Sequence, residues 1–290
     1  MKLDDQWFTE VNPDFGFAFS LKLKEKLHEE QSPFQKIEIY ATEHWGNLMV
    51  LDGCYMVTGL DNFVYHEMMA HPGLFSHAAP KRVAIIGGGD CGTLREVLKH
   101  PQVEQVTQID IDERVTRVSE IYFPELCASN GDPRADLKFI DGIQWMAEQP
   151  AGSLDLIIVD STDPVGPGVV LYSVEFFRHC RNALDVGGLL VQQSESPLVH
   201  TDAIIAPMHA RMREAGFHDT RTLQFPQPIY PTGWWSATLA SADGPVDFKR
   251  TADAESATIA TDYYTADIHR AALAMPAFFG RKLRRPASSR

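Results

Sequence analysis

Residues 83–92, Val-Ala-Ile-Ile-Gly-Gly-Gly-Asp-Cys-Gly, join a short apolar run directly to a glycine-rich turn. The apolar run predicts a buried strand, and the spacing of apolar residues over 93–99 predicts a helix after the turn. Gly87, Gly89 and Gly92 match the GxGxxG spacing, in which glycine lets the backbone approach a ligand closely. The alternative is a plain strand-to-helix turn with no ligand.

The strand–loop–helix rhythm continues along the chain. Further strands are expected at 103–109, 137–140, 154–159 and 189–192, and a helix at 115–122. Alternation of this kind is typical of a parallel sheet covered by helices on both faces. Ligands of such sheets bind outside the carboxyl ends of the strands, so we expect the functional site there.

The segment before residue 76 follows a different pattern. Asp52-Gly53 lies between two apolar runs and predicts a tight turn, so that 48–57 forms a β-hairpin. Residues 64–75 have helical spacing. The expected domains are a small antiparallel β domain with its linking helix at 1–75 and a larger α/β domain at 76–290.

Composition narrows the class of function. The chain has 290 residues and a formal net charge of −13, which argues against a nucleic-acid binder because phosphate contacts need a basic surface. No apolar run approaches the ~18 residues of a membrane span, and the first residues lack the apolar core of a signal peptide. The four cysteines are scattered, without metal-ligand spacing. We expect a cytoplasmic protein with no membrane contact and no metal.

Carboxylates follow three of the later strands. Asp110 lies 23 residues beyond Gly87, where it can accept both hydroxyls of a ribose, although this does not distinguish a dinucleotide from S-adenosylmethionine. Asp141 is placed to accept a hydrogen bond from an adenine amino group. Asp160 and Asp163 would repel each other unless a cation lies between them, and a primary amine is the natural candidate. For each of these residues the alternative is a solvated strand end or a turn.

Several segments, in their order and spacing, resemble the spermidine synthases, which are aminopropyltransferases. The segments are SPFQKIEIY at 32–40, VLDG at 50–53, NFVYHEM at 62–68, GGGDCG at 87–92, DG at 141–142, DSTDPVGP from 160, QSESP from 193 and PIYPTG from 228. The resemblance runs from about residue 7 to 239 and implies a Rossmann-like doubly wound sheet of the class I methyltransferase type. It also implies decarboxylated S-adenosylmethionine as co-substrate, no prosthetic group, putrescine or a related small polyamine as partner, and a homodimer or homotetramer.

The resemblance implies roles at the matching positions. The residues expected to contact the co-substrate are Gln35, Gly87, Gly89, Asp90, Asp110, Asp141, Gly142 and Pro167. Those expected to meet the amine are Tyr65, His66, Asp90, Asp163, Gln193 and Tyr230. Asp160 is expected to be the catalytic acid–base group, and Trp7 and Glu10 to close the channel. The chain departs from the family pattern at Cys91, which replaces a glycine, and at 58–62 and 168–172.

Three other functions share parts of this pattern. A methyltransferase would use the same sheet and turn, but the carboxylate of intact S-adenosylmethionine needs a cationic partner, and the sequence places no Arg or Lys near Asp90. If the protein were a nicotinamide-dependent oxidoreductase, the segments from 160 and 228 would have no assigned function. A polyamine or nucleoside sensor has no need of Asp160. The favoured hypothesis is aminopropyl transfer to putrescine, giving spermidine and methylthioadenosine.

Overall fold

Two β-sheets connected by a long helix make up the computed structural model, which describes residues 3–162, 166–256 and 258–283. The first sheet is an antiparallel meander whose strands pair in chain order. Its strands are β1 Trp7–Asn12, β2 Phe17–Gln31, β3 Lys36–Thr42, β4 Asn47–Leu51 and β5 Cys54–Thr58. The predicted hairpin is confirmed as β4 and β5.

The turn between β4 and β5 shows why the hairpin forms. Asp52 has φ 48° and Gly53 has φ 89°, so both adopt the left-handed conformation. A turn with two such residues matches the twist of the strands it connects, and Asp-Gly is well suited to it. The long strand β2 was not predicted, although Leu21 and Leu23 alternate with lysines in its sequence.

The second sheet has seven strands in the order β11-β12-β10-β9-β6-β7-β8. Their bounds are β6 Arg82–Gly87, β7 Gln105–Asp110, β8 Ala135–Phe139, β9 Leu154–Asp160, β10 Leu184–Gln193, β11 Asp219–Pro226 and β12 Trp234–Ser241. Every strand predicted for this sheet is present, and these five strands pair in parallel, as predicted. The two further strands, β11 and β12, make the sheet a mixed one. β12 runs antiparallel to both of its neighbours, because a short connection from β11 permits only an antiparallel pair.

Helices cover both faces of the second sheet, as predicted. Their bounds are α1 Asn62–Ser76, α2 Gly92–Leu98, α3 Glu113–Tyr122, α4 Gly142–Ala147, α5 Val174–Ala183, α6 Ala206–Glu214, α7 Thr251–Glu255, α8 Ala266–Ala272 and α9 Ala277–Leu283. One core includes Met68 of α1 and Ile158 of β9, and the other includes Phe176 of α5 and Ile157 of β9. Among the described helices, none has the length and apolar character to cross a membrane.

Helix α1 lies unusually close to the second sheet. A Cβ atom at Gly73 would lie only 2.6 Å from the side chain of Val191, so glycine is needed at this contact. The first turns of the same helix carry Tyr65 and His66, and Tyr65 contacts Asp160 at the carboxyl end of β9. The predicted domain boundary at 75/76 stays a prediction.

The C-terminal region is attached to the same helix through Glu67. The buried Glu67 carboxylate accepts hydrogen bonds from the backbone N–H groups of Asp262, Tyr263 and Tyr264 at 2.8, 2.9 and 2.7 Å. Three bonds to one buried carboxylate satisfy its acceptor sites, which compensates for its removal from water.

Candidate active site

The glycine turn after β6 packs directly against the end of β9. The Gly88 N–H donates to the Asp160 carbonyl oxygen at 2.8 Å. A Cβ atom at Gly87 would lie 2.2 Å from the same oxygen, and both glycines have positive φ. Cys91 also adopts the left-handed conformation, φ 68°, which favours glycine and explains why the family pattern has one there.

The side chain of Asp160 is held on both of its oxygens. The Tyr65 hydroxyl donates to Oδ1 at 2.6 Å, and the Thr93 hydroxyl donates to Oδ2 at 2.6 Å. Burial and the nearby Asp90 carboxylate raise the pKa of Asp160 above its usual value, and His66 and the two hydroxyls oppose the shift. Burial and Asp160 also raise the pKa of Tyr65, so its phenol remains a donor.

His66 and Asp90 form a buried pair beside Asp160. His66 Nε2 lies 3.1 Å from Asp90 Oδ2, and the Gly92 N–H donates to Asp90 Oδ1 at 2.8 Å. Burial alone would lower the pKa of His66 and raise that of Asp90. The attraction between the two groups outweighs burial, so the pKa of His66 is raised and that of Asp90 lowered. Both groups are therefore stabilised in their charged forms.

Arg95 corrects one expectation about this region. Its charge helps to lower the pKa of Asp90, so the expectation that no Arg or Lys lies near Asp90 is wrong. Arg95 lies in α2, which follows the glycine turn that carries Asp90, and a reading of separate motifs does not take this proximity into account. The Arg95 guanidinium itself is paired with Glu96 at 2.8 Å.

Asp110 lies at the end of β7, beside the glycine turn. Its Oδ1 accepts from the Asp112 N–H at 2.8 Å, and its Oδ2 would be 2.9 Å from a Cβ atom at Gly89. Burial, with smaller contributions from neighbouring carboxylates, raises the pKa of Asp110 to about 6. The Asp110 carboxylate therefore packs directly against the backbone of Gly89, and a side chain at Gly89 would collide with it and with Val115.

Gln35 lies between β2 and β3 and contacts this region through Asp112, a residue for which the sequence predicted no role. The Gln35 amide donates to Asp112 Oδ2 at 2.9 Å, and the Ser32 hydroxyl donates to the same oxygen at 2.6 Å. Asp112 also caps α3 through Arg114 N–H. The sequence feature that could have indicated Asp112 is its position as a second aspartate two residues after Asp110.

Asp141 and Gly142 connect β8 to α4. Asp141 Oδ1 accepts from Ile143 N–H at 2.8 Å and from Gln144 N–H at 3.3 Å, so the residue caps the helix. A Cβ atom at Gly142 would lie 2.8 Å from Ile86, which explains the glycine. Asp163 and the side chain of Pro167 lie outside the described part of the structure.

A cleft between the two sheets opens beside Asp160. Its lining residues are Glu10, Cys54, Tyr55, Met56, Tyr65, Ser161, Thr162, Gln193, Tyr230, Pro231 and Trp235. Three residues predicted to meet the amine are therefore brought together there. Glu10, predicted to close the channel, is present as well, whereas Trp7 is not among the lining residues.

Gln193 and Tyr230 are fixed by specific partners. The Gln193 amide donates to Glu195 Oε1 at 2.9 Å and accepts from the Glu195 N–H at 2.9 Å. Glu195 is buried and has φ 66°, an uncommon conformation for glutamate. The Tyr230 hydroxyl donates to the Met56 carbonyl at 2.7 Å, and its ring contacts that of Tyr65. Sequence reasoning did not single out Glu195, although it lies in the segment from 193.

The polar character of the region favours a charged or polar ligand. Within the described residues, the buried atoms His66 Nδ1, Ser161 Oγ and Trp235 Nε1 have no hydrogen-bond partner. Such atoms are rare in folded proteins, and these belong to residues in or beside the cleft. No cluster of three or more metal-ligating side chains occurs in the ranges that the structure describes.

Two family models match the chain, and together they cover most of it. Residues 62–250 match the spermine/spermidine synthase domain, and residues 6–58 match the spermidine synthase tetramerisation domain. These matches define the class of protein as an aminopropyl-transferring enzyme with a Rossmann-like fold. The chain belongs to the spermine/spermidine synthase family, which confirms the resemblance seen in the sequence.

Individual relatives are similar over nearly their whole length. The polyamine aminopropyltransferase of Thioalkalivibrio sulfidiphilus is 64% identical over 283 residues, which cover 98% of this chain and 99% of the relative. That of Methylococcus capsulatus is 64% identical over 278 residues, or 96% and 97%. A crystal structure of a spermidine synthase in complex with the transition state analogue AdoDATO has a TM-score of 0.91 at 32% identity, with 98% and 96% of the two chains covered. The spermidine synthase from Thermotoga maritima has a TM-score of 0.89 at 32% identity, with coverage of 96% and 94%.

The contact between Gly92 and His66 can be tested by adding one methyl group. In Gly92→Ala the new Cβ would lie 2.2 Å from His66 Cε1, so the buried ring must move away from Asp90. We expect the free energy of unfolding to fall by about 1–3 kcal/mol, measured by urea denaturation. Gly131→Ala is the matched control, because nothing lies within 4 Å of its new Cβ. An unchanged unfolding midpoint in Gly92→Ala would contradict this account of the contact.

Proposed function

We propose that the protein is a spermidine synthase, which transfers the aminopropyl group of decarboxylated S-adenosylmethionine to putrescine. The observation that carries the proposal is the position of Asp160. Its carboxylate lies between the glycine turn and the cleft, and each oxygen accepts a hydroxyl hydrogen bond. Membership of the family and the similar spermidine synthase in complex with AdoDATO support this class of reaction.

The reaction is a displacement at carbon. The amine nitrogen attacks the propyl carbon next to the sulfonium, the new C–N bond forms as the C–S bond breaks, and methylthioadenosine leaves with the bonding electron pair. The sulfonium is already an activated leaving group, so the enzyme has to supply a neutral amine in line. A primary amine with a pKa of ~10.4 is neutral in only about one molecule in 2,500 at pH 7. The attacking nitrogen must also lose its proton as it becomes alkylated.

Asp160 is proposed to accept that proton. An ordinary aspartate is a weak base for an ammonium group, but burial raises the pKa of Asp160 and makes its carboxylate a stronger base. Asp90 and Asp110 lie close enough to act on Asp160 electrostatically. Their negative charge offsets the repulsion between a sulfonium and a diammonium, so the two cations can approach each other.

The co-substrate is proposed to bind along the ends of the central strands. Gly87 and Gly89 allow close backbone approach, Asp110 would accept the ribose hydroxyls, and Asp141 the adenine amino group. Gln35, Gly142 and Pro167 would complete the nucleoside site. Asp90 would hold the aminopropyl ammonium, with His66 beside it. Arg95 is paired with Glu96, which disfavours it as a partner for a methionine carboxylate and supports the decarboxylated co-substrate.

The amine is proposed to enter through the cleft between the sheets. Tyr65, Gln193 and Tyr230 line it, and Glu10 from β1 supplies a carboxylate from the first domain. Asp163 is proposed as an anchor for the attacking amine. Putrescine, with an ammonium at each end, fits a cleft with Asp160 and Glu10 among its surroundings.

The proposal is tested by mass spectrometry of the products. The purified protein is incubated with decarboxylated S-adenosylmethionine and an equimolar mixture of putrescine, cadaverine and agmatine, and in parallel with intact S-adenosylmethionine and the same mixture. We expect methylthioadenosine and spermidine from the first reaction. Asp160→Asn should lower turnover by about 10²–10⁴-fold while retaining most of its affinity for methylthioadenosine. A methylated amine formed only in the parallel reaction, or full turnover by Asp160→Asn, would refute the proposal.

The role of Asp110 predicts a pH dependence of nucleoside binding. Its pKa is about 6, so the carboxylate gains a proton as the pH falls through 6 and then loses part of its capacity to accept ribose hydroxyls. We expect the affinity for methylthioadenosine, measured by calorimetry, to rise between pH 5 and pH 7. In Asp110→Asn the affinity should be weaker and flat across this range. A parallel rise in the variant would assign the effect to another group.

Assembly and location complete the proposal. We propose a homodimer or homotetramer formed through the first domain, because residues 6–58 match a tetramerisation domain. Light scattering of the full chain should give two or four times the mass of one chain, and the mass of a single chain would contradict this assembly. A cytoplasmic location is also proposed, in keeping with four free cysteines.

A further inference from the structure

Thr93 is the second hydrogen-bond donor to Asp160 and lies on a different element from the first. It is the second residue of α2 and is completely buried, with its hydroxyl 2.6 Å from Asp160 Oδ2. Tyr65 on α1 donates to the other oxygen. The two donors approach from two helices, so the carboxylate is held between them.

We propose that Thr93 is a positioning residue that sets the pH range in which Asp160 is ionised and therefore able to act as a base. The inference rests on the proposed function of Asp160. No motif pointed to Thr93, since it follows the glycine turn and lies 67 residues from Asp160 in the sequence.

Several charged groups act on Asp160 from the elements around it. Asp90 in the glycine turn favours its protonated form by repulsion, and His66 on α1 favours the carboxylate by attraction. Asp110 on β7 also faces it, because Asp160 contributes to the raised pKa of Asp110. Since Asp90 is paired with His66, the effects of these two partly cancel. Burial favours the neutral acid, and it is opposed by His66 and by the two hydroxyl donors, which are the groups hydrogen-bonded to the carboxylate.

Threonine suits this task for a physical reason. Its hydroxyl carries no charge and does not titrate in the working range, so it stabilises the carboxylate equally at every pH. A cationic donor would also compete with the ammonium groups of the substrates, whereas a hydroxyl would not. The bond also fixes Oδ2, while the Gly88 N–H fixes the backbone of the same residue.

The test replaces Thr93 by valine, which has nearly the same shape and lacks the hydroxyl. The acid side of the kcat/KM profile should move up by about one pH unit, which corresponds to the loss of one hydrogen bond to a charged group. The loss of activity should therefore be about tenfold on the acid side and shrink as the pH rises. Thr93→Ser should restore the parent profile. Asp110 and His66 titrate in all these proteins and do not contribute to the difference.

A direct titration separates failure of this inference from failure of the proposed function. Carbon-13 NMR of aspartate-labelled protein, with the Asp160 signal assigned from Asp160→Asn, gives the pKa of Asp160 in each variant. A raised pKa together with a shifted kinetic profile supports the inference. An unchanged pKa in Thr93→Val overturns it. A raised pKa without any kinetic shift overturns the role of Asp160 as the base, and with it the inference, whereas the aminopropyl transfer that provides the kinetic profile still stands.

A purely structural role for Thr93 would give a different result. Activity would then fall by the same factor at every pH, which would also overturn the inference. Thermal unfolding of each variant checks that the fold is retained. If Thr93→Val does not fold, Thr93→Ala takes its place, because alanine favours helices and also removes the donor. The same shift of one pH unit is expected for it.

Discussion

The hydrogen bond between the Gly88 N–H and the Asp160 carbonyl is the contact on which the site depends. It holds the turn after β6 against the end of β9 at 2.8 Å, a distance that leaves no space for a side chain at Gly87. Helix α2 must then begin where Thr93 reaches the Asp160 carboxylate and where Asp90 meets His66. A single backbone contact thus positions the Asp160 carboxylate, its Thr93 donor and the neighbouring ion pair.

The site places several carboxylates in a buried region, where an ionised group is energetically unfavourable. Asp110 and Asp160 are held at raised pKa values by burial, and Asp90 is compensated by His66. A folded protein gains no stability from buried carboxylates that repel one another. A cation bound among these carboxylates would relieve their mutual repulsion, so the arrangement favours a positively charged ligand.

The sequence predicted the features that depend on neighbours in the chain. Strand ends followed by carboxylates, the Asp52-Gly53 turn and the glycine spacing after β6 are local patterns, and the structure has each of them. The bond from Thr93 to Asp160 depends on the angle at which α2 leaves the sheet, and the pair of Gln193 with Glu195 depends on a left-handed residue that no pattern predicts. The antiparallel direction of β12 depends on the connection between β11 and β12, whose path is not determined by composition alone.

The attachment of Glu67 to residues 262–264 has a consequence for the order in which the molecule forms. Helix α1 carries Tyr65 and His66, yet the backbone groups that satisfy its buried Glu67 lie about 195 residues further along the chain. Contacts of such separation close a very long loop and form late. On the ribosome, Glu67 therefore stays hydrated until residues 262–264 have been synthesised, and a chain that ends before them lacks the groups that compensate the burial of its carboxylate.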